Sequence, residues 1–471
     1  MLKTILIIVY VILILGVIFI ERKNPYEGVL WVVILICLPY LGAILYLAFG
    51  NTLNIKLTKI VRTQKLSSDW RYNSYEELNK LSSKYMSNLS ESDTQVIEFN
   101  LRYNSSPLIV SEDAKFFIDG ESHYKALFED IRNAKESIHI QFYTIHNDRV
   151  GNALVEELTK KAKEGVEVFV MIDFIANVSS PPKMFKPLKN AGGTVKRLKP
   201  YLTHFRSHRK IVAIDGRIGY IGGMNVGEQY ANQAKVKTPW RDTQIRITGA
   251  SIAMLEYYFW TDWICAMSRK QLPTAQLSID KTFERIEMTG HKLCQFVIGG
   301  VDTDRESVKM CYLSMIRSAK KRICIQSPYF VPDQSVLDAL KTAAASGVQI
   351  QLMIPGIKSS FFLDPVARYY CGQLLEFGAE VYKYRGYIHA KTMVIDDEIC
   401  CAGSVNMDIR SLRVDDEICG VFYDNELVSE YLEIFSNDIE NSYIYSFEEF
   451  SSRRTIDKVR EGFYLLFAPL M

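Results

Sequence analysis

Residues 208–225 read HRKIVAIDGRIGYIGGMN, and residues 389–406 repeat the same pattern as HAKTMVIDDEICCAGSVN. In each copy a His is followed by Lys two residues later, Asp seven later, Gly fourteen later and Asn seventeen later. One such match carries little information in a chain with seven His, but two copies in one register are a strong signal. The chain therefore contains two related halves that supply the same set of side chains.

The repeat extends into the segments that precede each motif. IRNAKESIHIQ at Ile131 resembles IRSAKKRICIQ at Ile316, and LTKKAKEGVEVFVMID at Leu158 resembles LKTAAASGVQIQLMIP at Leu340. Each half reads as helix, short apolar strand, helix, strand and motif strand, and the strands are β-branched, as in sheets that helices cover. This alternation predicts two pseudo-symmetric α/β domains, each with a mixed, mostly parallel sheet flanked by helices.

The first fifty residues are much more apolar than the rest of the chain. No charged residue lies between Lys3 and Glu21, or between Glu27 and Lys56. A helix of about 20 apolar residues crosses a bilayer, and both stretches come near that length. The sequence predicts a transmembrane helical hairpin, and a cleaved signal peptide is the weaker alternative because no small-x-small cleavage site follows the first stretch.

Basic residues set the expected orientation of this hairpin. Its outer flanks carry five of them and the connecting loop carries two, namely Lys3, Lys56, Lys59, Arg62 and Lys65 outside, and Arg22 and Lys23 in the loop. Cytoplasmic flanks hold the excess of Lys and Arg, so both ends and the two α/β domains are expected in the cytoplasm, in a multi-pass protein of the cell membrane. Nine Cys without a C-x-x-C spacing agree with a reducing compartment.

Five segments are expected along the chain. Transmembrane helices occupy 1–50, a juxtamembrane linker 51–110, the two α/β domains 111–285 and 286–450, and an amphipathic tail 451–471. The tail mixes cations with aromatic and aliphatic residues, so it fits either the bilayer surface or packing against the domains. The formal charge of +2 gives no whole-chain attraction to nucleic acid, and nothing in the sequence indicates an oligomeric state.

The duplicated motif carries the chemistry. Side chains two residues apart on a strand share a face, so each motif presents its His and Lys together. The two halves combined offer two imidazoles, two ammonium groups and two amides, without carboxylate nucleophiles or metal-ligand spacing, so neither a metal nor a cofactor is expected. Such a set suits a phosphodiester, with one His attacking phosphorus, the other protonating the leaving alcohol, and the remaining groups stabilising the phosphoryl oxygens. The candidates are His208, Lys210, Asn225, His389, Lys391 and Asn406.

Five further residues complete the candidate site. Asp215 and Asp396 end the motif strands as candidate catalytic residues, although a structural role at the turn is favoured. Ser404 belongs to a small pair that allows close approach of a ligand, and it is a phosphate-binding candidate. Asp242 and Glu417 are expected to orient the imidazoles, with a surface salt bridge as the alternative.

The paired HxKx4Dx6G[GS]xN motifs resemble those of the phospholipase D superfamily, and more closely those of bacterial cardiolipin synthases of the phospholipase D type. Supporting stretches are LPYLGAILYLAFGN, WRDTQIRITG, SPYFVPD, NMDIRS and the terminal LLFAPLM. The similarity covers nearly the whole chain. It implies a membrane phosphatidyltransferase that joins two phosphatidylglycerol molecules into cardiolipin and releases glycerol, without a metal, through a phosphohistidine intermediate.

Three positions depart from the family pattern, one of them at Gly300-Val301, where the family often has Gly-Pro. Ser207 stands where Asn usually precedes the first motif His, and Asp415 stands where the family often has Asn. Asp415 would add negative charge near an anionic substrate, so the choice of lipid is open. A phospholipase D-type hydrolase, or a transferase that uses another phospholipid or alcohol, is the alternative. The apolar N-terminus disfavours a nuclease, and two intact motifs disfavour a non-catalytic scaffold.

Overall fold

A computed structural model provides the structure of most of the chain. It describes residues 2–22, 25–50, 80, 82, 85–86, 89–198, 206–233, 239–266, 289–300, 306–358 and 360–468. Most of the predicted linker, with its basic run from Lys56 to Lys65, lies outside the described residues.

Helices and strands alternate through both halves of the chain. The helices are α1 (Leu2–Ile20), α2 (Pro25–Cys37), α3 (Pro39–Phe49), α4 (Glu91–Asn104), α5 (Gly120–Asn133), α6 (Arg149–Lys163), α7 (Lys186–Asn190), α8 (Ile252–Cys265), α9 (Ser307–Ser318), α10 (Gln334–Ala345), α11 (Leu363–Leu375), α12 (Ile409–Arg413), α13 (Asn425–Glu440), α14 (Phe447–Ser451) and α15 (Thr455–Leu465), with a 3₁₀ turn at Pro182–Phe185. The strands of the first half are β1 (Ile109–Ser111), β2 (Asp113–Phe117), β3 (Ser137–Phe142), β4 (Glu167–Asp173), β5 (Thr194–Leu198), β6 (Ile211–Ile214), β7 (Ile218–Gly222), β8 (Trp240–Arg241) and β9 (Gln244–Thr248). Those of the second half are β10 (Lys292–Gly299), β11 (Arg322–Gln326), β12 (Phe330–Val331), β13 (Gln349–Pro355), β14 (Glu380–Tyr384), β15 (Tyr387–Ile388), β16 (Thr392–Ile395), β17 (Ile399–Gly403), β18 (Met407–Asp408), β19 (Glu417–Phe422) and β20 (Ser442–Tyr445).

Two large mixed sheets carry the repeats. Seven strands form the order β2-β9-β7-β6-β3-β4-β5, and nine form the order β1-β10-β19-β17-β16-β11-β13-β14-β20. The predicted pair of α/β repeats with mixed sheets is therefore confirmed. The expectation of mostly parallel sheets is wrong, because in these two sheets β3-β4-β5 and β11-β13-β14 run parallel and the other neighbouring strands are antiparallel. Each motif strand turns back tightly after its Asp, and a tight turn can only join antiparallel neighbours.

Local sequence signals fix the helix ends in the same way in both repeats. The side chain of Asp148 accepts a hydrogen bond from the first turn of α6, and Asp333 does the same for α10. Gly165 and Gly347 follow these helices with φ of 91° and 92°, a left-handed conformation that glycine adopts readily at the end of a helix.

One apolar core joins the two sheets. It contains Ile221 and Ile245 from the first sheet and Ala402 and Ile418 from the second. At Gly420 an added Cβ would come within 2.8 Å of the Ile221 side chain, so the two sheets need a glycine there. The helix α8 is buried along its whole length, as expected for a helix that is apolar on all sides. The repeats thus pack together as one body.

The N-terminal segment differs from the two helices that the sequence predicts. The second apolar stretch breaks at Leu38, whose φ of −131° and ψ of 69° lie outside the helical region, and Pro39 begins α3. The helix α3 folds back along α2, so the rings of Trp31 and Tyr46 lie 5.3 Å apart, and the Tyr46 hydroxyl donates to Glu21 over 2.9 Å. No helix in the described ranges combines the length and apolarity that a membrane crossing requires. The two predicted crossings are therefore not confirmed.

Part of the segment predicted as a linker is structured. The helix α4 places Val96 and Ile97 in a core with residues of the second repeat, and Asn100 donates a hydrogen bond to Gln295 over 3.2 Å. The strand β1 pairs with β10 rather than with a strand of the first repeat. The stretch from α4 to β1 therefore packs with the second repeat, although it precedes the first in sequence.

Candidate active site

Short cross-repeat strand pairings hold each motif His in place. The backbone N–H of His208 donates to the carbonyl of Asp416 over 2.9 Å, and that of His389 donates to the carbonyl of Arg241 over 2.6 Å. Beside the second contact, β15 pairs in parallel with β8. Each His is thereby placed next to a carboxylate-bearing residue of the opposite repeat.

The two carboxylates are exchanged between the repeats. Nδ1 of His208 lies 2.8 Å from Oε1 of Glu417, and Nδ1 of His389 lies 2.5 Å from Oδ2 of Asp242. Both carboxylates are buried, which excludes the surface salt bridge considered above. Because Nδ1 faces a carboxylate in each ring, Nε2 is the nitrogen that faces away from it. This contact fixes the orientation of both rings.

Both imidazoles line one cavity of about 440 Å³, together with Asn225 and Asn406. Aromatic rings form much of its wall, and two arginines add positive charge. These residues are Tyr143, Tyr230, Trp240, Tyr329, Tyr387, Arg206 and Arg410. The Tyr143 ring lies 4.9 Å from that of His208, and the Trp240 ring lies 5.2 Å from that of His389. The cavity therefore combines a polar centre with walls that limit the entry of water.

The two motif lysines are buried close to the histidines. Nζ of Lys210 donates to the carbonyl of His208 over 2.7 Å, and Nζ of Lys391 donates to that of His389. Burial lowers the pKa of Lys210 to about 7 and that of Lys391 to about 8, although the Glu417 and Asp242 carboxylates act in the opposite direction. Bound phosphate would favour the charged form of both ammonium groups.

The two imidazole–carboxylate pairs are electrostatically unequal. Burial and the charges of Lys210 and Lys391 hold the pKa of His208 well below its ordinary value. Burial and Lys391 lower the pKa of His389 to about 4. Burial raises the pKa of Glu417 to about 7, whereas His389 and Lys391 outweigh burial at Asp242 and lower its pKa. In the free site burial and the motif lysines therefore favour the neutral form of both imidazoles.

The motif amides reach the same cavity. The Asn225 side chain accepts from the backbone N–H of Thr144 over 3.2 Å and donates to the Tyr230 hydroxyl over 2.8 Å, which fixes its plane. The Asn406 amide oxygen is buried and has no hydrogen-bond partner among the described residues. This oxygen can only accept a hydrogen bond, so it suits a ligand hydroxyl, whereas the N–H groups of the same amide are the ones that can donate to phosphoryl oxygens.

Both motif lysines, Asp242 and Glu417 adjoin the histidines without lining the cavity, and three more sequence candidates also lie outside it. Ser404 was expected to bind phosphate, but its buried hydroxyl donates to Glu417 and accepts from Ile418 N–H, so it positions the carboxylate. Asp215 and Asp396 were carried as catalytic candidates, but each accepts three backbone N–H groups at the start of a neighbouring strand. Their contacts match the structural interpretation and give no reach to a substrate.

Two arrangements near the site were missed by the sequence reasoning. Arg410 makes an ion pair with Asp415 over 2.8 Å, so the acidic departure from the family pattern is matched by a cation in the cavity wall. Arg209 is fully buried, pairs with Asp262 over 2.6 Å, and donates to the Glu417 carbonyl over 3.1 Å. The available signal was Arg209 itself. A charged residue beside a buried strand needs a buried partner, so its position between His208 and Lys210 indicates an ion pair.

Comparison with known proteins assigns this architecture. Residues 127–263 and 312–439 match a family model described as "Cardiolipin synthase, PLD-like domain". The chain belongs to this family. Residues 6–51 also match a model described as "Phospholipase_D-nuclease N-terminal". The family and the phosphatidyltransferase class predicted from the duplicated motif are therefore confirmed.

Individual relatives agree with the family match. The chain is 34% identical to cardiolipin synthase 2 of Staphylococcus epidermidis, over 97% of this chain and 94% of that protein. Cardiolipin synthases of Staphylococcus aureus and Oceanobacillus iheyensis are 35% and 33% identical over 97% of this chain, covering 93% and 96% of their own lengths. Among solved structures, a phosphatidylserine synthase from Haemophilus influenzae shares the fold, with a TM-score of 0.61, 15% identity, and coverage of 79% of this chain and 97% of that one.

Proposed function

We propose that this cardiolipin synthase family member transfers a phosphatidyl group from one phosphatidylglycerol to another, forming cardiolipin and releasing glycerol. The observation that supports the proposal is a pair of imidazole–carboxylate contacts at one cavity. In each pair the His comes from one repeat and the carboxylate from the other. Two imidazoles oriented at one cavity can flank a single phosphorus atom, and the chemistry needs one of them on each side.

In the first step, Nε2 of one motif His attacks the phosphorus of the donor lipid. The bond between phosphorus and the glycerol oxygen breaks, and the other His donates its proton to that oxygen. The leaving glycerol is neutral, and the phosphatidyl group remains on the first imidazole as a phosphohistidine. The dianionic character that develops on the phosphoryl oxygens is stabilised by Lys210 and Lys391, with amide donation from Asn225 and Asn406.

In the second step, the terminal hydroxyl of another phosphatidylglycerol replaces the departed glycerol. The second His, now neutral, takes the hydroxyl proton while the oxygen attacks phosphorus, and the phosphorus–nitrogen bond breaks. This step returns both imidazoles to their starting protonation states. The substrate phosphate supports the cycle because its negative charge favours the protonated form of the acid His, whose pKa is low in the free site.

Product identification tests this assignment against hydrolysis. Purified enzyme is incubated with phosphatidylglycerol that carries one label in the acyl chains and another in the headgroup glycerol. Transfer predicts labelled cardiolipin and one released glycerol for each cardiolipin formed. Phosphatidic acid as the sole lipid product assigns a hydrolase, and a product formed only with another added alcohol assigns a different acceptor.

The proposed transfer needs no metal ion, because the lysines supply positive charge and the imidazoles supply the proton transfer. Among the described residues no group of three or more His, Cys, Asp or Glu side chains is arranged to hold a metal ion. The phosphoryl charge is instead met by buried lysines. Treatment with EDTA is therefore expected to leave the transfer rate unchanged, and a marked loss that added Mg²⁺ or Zn²⁺ restores would contradict this.

We also propose that the N-terminal helices α1 to α3 anchor the enzyme in the cell membrane. Their large apolar side chains face outward, and several are more than 60% exposed, namely Ile7, Ile12, Phe19, Val29, Ile36 and Ile44. Such surfaces are stable in a bilayer and costly in water. Resistance of the protein to extraction from membranes by alkaline carbonate checks this, and its release would contradict the anchor.

The fold-back of α3 affects which side of the membrane the α/β body is expected to occupy. It returns the chain to the level of Glu21, next to Arg22, before the sequence enters the basic run 56–65. Glu27 at the same end forms an ion pair with Arg413 of the α/β body over 3.5 Å. We place this end, which carries Arg22 and precedes the basic run, in the cytoplasm with the body. The connecting loop then lies on the same side as the body, and not on the opposite side as expected from the sequence.

A further inference from the structure

The C-terminal helix α15 presents an apolar face to solvent. Ile456, Val459, Phe463 and Leu466 are spaced by three or four residues, which puts them on one side of the helix, and each is more than half exposed. The opposite side packs against the body, where Tyr464 joins a core cluster with Val331 and Val366. The inner face of α15 is therefore apolar because it is buried. Among the described residues, no other element covers the apolar side chains of the outer face.

Two adjacent exposed phenylalanines pack against the flank of α15, next in sequence to the cavity wall. The side chains of Phe361 and Phe362 are 64% and 55% exposed, and their rings lie 5.8 and 5.3 Å from that of Tyr464. The next residue, Leu363, lines the active-site cavity. The two exposed phenylalanines are therefore adjacent in sequence to a residue of the cavity wall.

The first repeat carries a corresponding loop. Phe361 and Phe362 lie in the loop that follows β13, and Val178, which is 72% exposed, lies in the loop that follows the equivalent strand β4. Asn177 fastens this loop to the cavity wall, because its amide donates to the Tyr143 carbonyl over 2.6 Å and Tyr143 lines the cavity. Exposed apolar loops from both repeats therefore adjoin one cavity.

Cations accompany the apolar side chains. The guanidinium of Arg460 lies 4.3 Å from the centre of the Phe361 ring, and Lys358 and Lys458 are exposed nearby in sequence. Apolar side chains next to Lys and Arg are the pattern of surfaces that enter the headgroup region of an anionic bilayer, where the chains of the cations extend toward the phosphates.

The N-terminal helices meet the body close to this surface. Arg413, which pairs with Glu27, lies on the short helix α12, and Arg410 of that helix lines the cavity. The anchor proposed above and the apolar loops are thus attached around one opening.

We infer that Val178, Phe361, Phe362 and the outer face of α15 form a docking rim that inserts into an anionic phospholipid bilayer around the mouth of the active site. A lipid can then pass from the bilayer to the cavity with its acyl chains still covered by apolar surface. The inference rests on the proposed function for its substrate. The contact itself with the bilayer is a separate physical claim that can be tested without measuring turnover.

Depth-dependent quenching tests the contact directly. Phe361→Cys, Val459→Cys and Val178→Cys are each made in the full chain with Cys37→Ser, since the other eight Cys are buried, and are labelled with bimane. The matched control is Phe377→Cys, because Phe377 is 44% exposed, has Lys341 over its ring, and lies beyond the far end of α11 from Leu363. The proteins are reconstituted in vesicles of phosphatidylglycerol and phosphatidylcholine that contain nitroxide-labelled lipid.

We expect the three rim labels to be quenched at least about threefold more by the lipid nitroxide than the control label. Equal quenching at positions 361 and 377 overturns the inference. Protection of the rim labels from both lipid nitroxide and aqueous iodide also overturns it, since a protein surface would then cover the rim. If the rim labels are quenched but the protein forms no cardiolipin, the bilayer contact is supported and the proposed function is rejected.

A kinetic ratio provides the second test. For Phe361→Ser/Phe362→Ser, the rate on long-chain phosphatidylglycerol in vesicles is divided by the rate on a dispersed short-chain analogue. We expect this ratio to fall about tenfold, because substrate extraction from the bilayer needs the apolar rim. Phe377→Ser should keep the ratio of the original enzyme. An unchanged ratio in the double variant overturns the inference even if both rates fall.

Discussion

At the scale of single residues, the site depends on which carboxylate meets which imidazole. Glu417 follows the second motif in sequence but contacts the His of the first, and Asp242 makes the converse contact. Each carboxylate acts through its His, by holding the ring and stabilising positive charge on it, and neither is needed to touch the substrate. We therefore propose that both are positioning residues.

Neutral replacements of these carboxylates should lower turnover without preventing binding. For Glu417→Gln and Asp242→Asn we expect kcat to fall by about 100-fold or more, with a change in KM of less than about threefold, since the tautomer is lost while the phosphate contacts remain. Steady-state kinetics on phosphatidylglycerol measures both. Asp397→Asn, at a half-exposed carboxylate beside the second motif, is the control and should be neutral. Unchanged kcat in either site variant contradicts the assigned role.

The buried lysines predict an alkaline limb in the pH profile. The pKa of Lys210 is lowered to about 7 and that of Lys391 to about 8, so the free site loses positive charge as the pH rises through this range. We expect kcat/KM to fall between pH 7 and 9. Bound phosphate favours the charged lysines, so the corresponding limb of kcat should lie at higher pH. A profile of kcat/KM that stays flat from pH 7 to 9 contradicts phosphate binding by these groups.

At the scale of elements, the sequence is informative where a signal is local. The motif strands, the capping residues of α6 and α10 and the order of helix and strand follow from periodicity and from turn residues. The cross-repeat pairing of His208 with Glu417 depends on how two sheets pack, which no spacing encodes. The sequence predicts that the Ser404 hydroxyl binds phosphate, whereas in the structure it donates to Glu417. This contact also depends on the tertiary arrangement.

The apolar pattern also does not reveal the helix break at Leu38. Hydropathy is the same for one long helix and for two helices that fold back on each other. Pro39 was compatible with both, since proline is tolerated inside membrane helices and is also favoured at the first position of a new one. The contact between Trp31 and Tyr46 decides between them, and it requires the tertiary arrangement.

The motif aspartates belong to the strand ends, and their replacement should affect folding. Asp396 is buried and accepts N–H groups from Lys320, Lys321 and Arg322, so Asp396→Ala leaves three donors without their acceptor. We expect a loss of about 3 kcal/mol in the free energy of unfolding. Denaturant unfolding in detergent measures this loss, with Asp397→Ala as the control.

The same variant separates stability from chemistry. Activity per folded Asp396→Ala molecule should stay within about threefold of the original enzyme, because the carboxylate does not reach the cavity. A loss of several hundredfold per folded molecule, at unchanged stability, would restore the catalytic interpretation of this residue.

At the scale of the whole molecule, the two repeats form one catalytic unit. A buried ion pair between Arg209 and Asp262 lies at their seam, and Arg209 also donates to the carbonyl of Gly299 over 2.7 Å in the second sheet. On the other side Arg241 of the first repeat pairs with Asp438 of the second over 2.8 Å. Charged pairs at such depth are costly to break, so they favour one relative placement of the repeats. That placement sets the position of both imidazoles.

An intrachain site makes a specific prediction about mixed proteins. His208→Ala and His389→Ala each remove one of the two imidazoles, and each should lower kcat/KM by at least about a thousandfold. The missing ring cannot be supplied by another copy, because each His is fixed by a carboxylate and by backbone contacts from its own chain. Coexpression of the two variants should therefore give no more cardiolipin than either alone. Coexpression of each variant with the original enzyme is the control, and recovery of activity in the mixture of variants would show that the site is assembled from two chains.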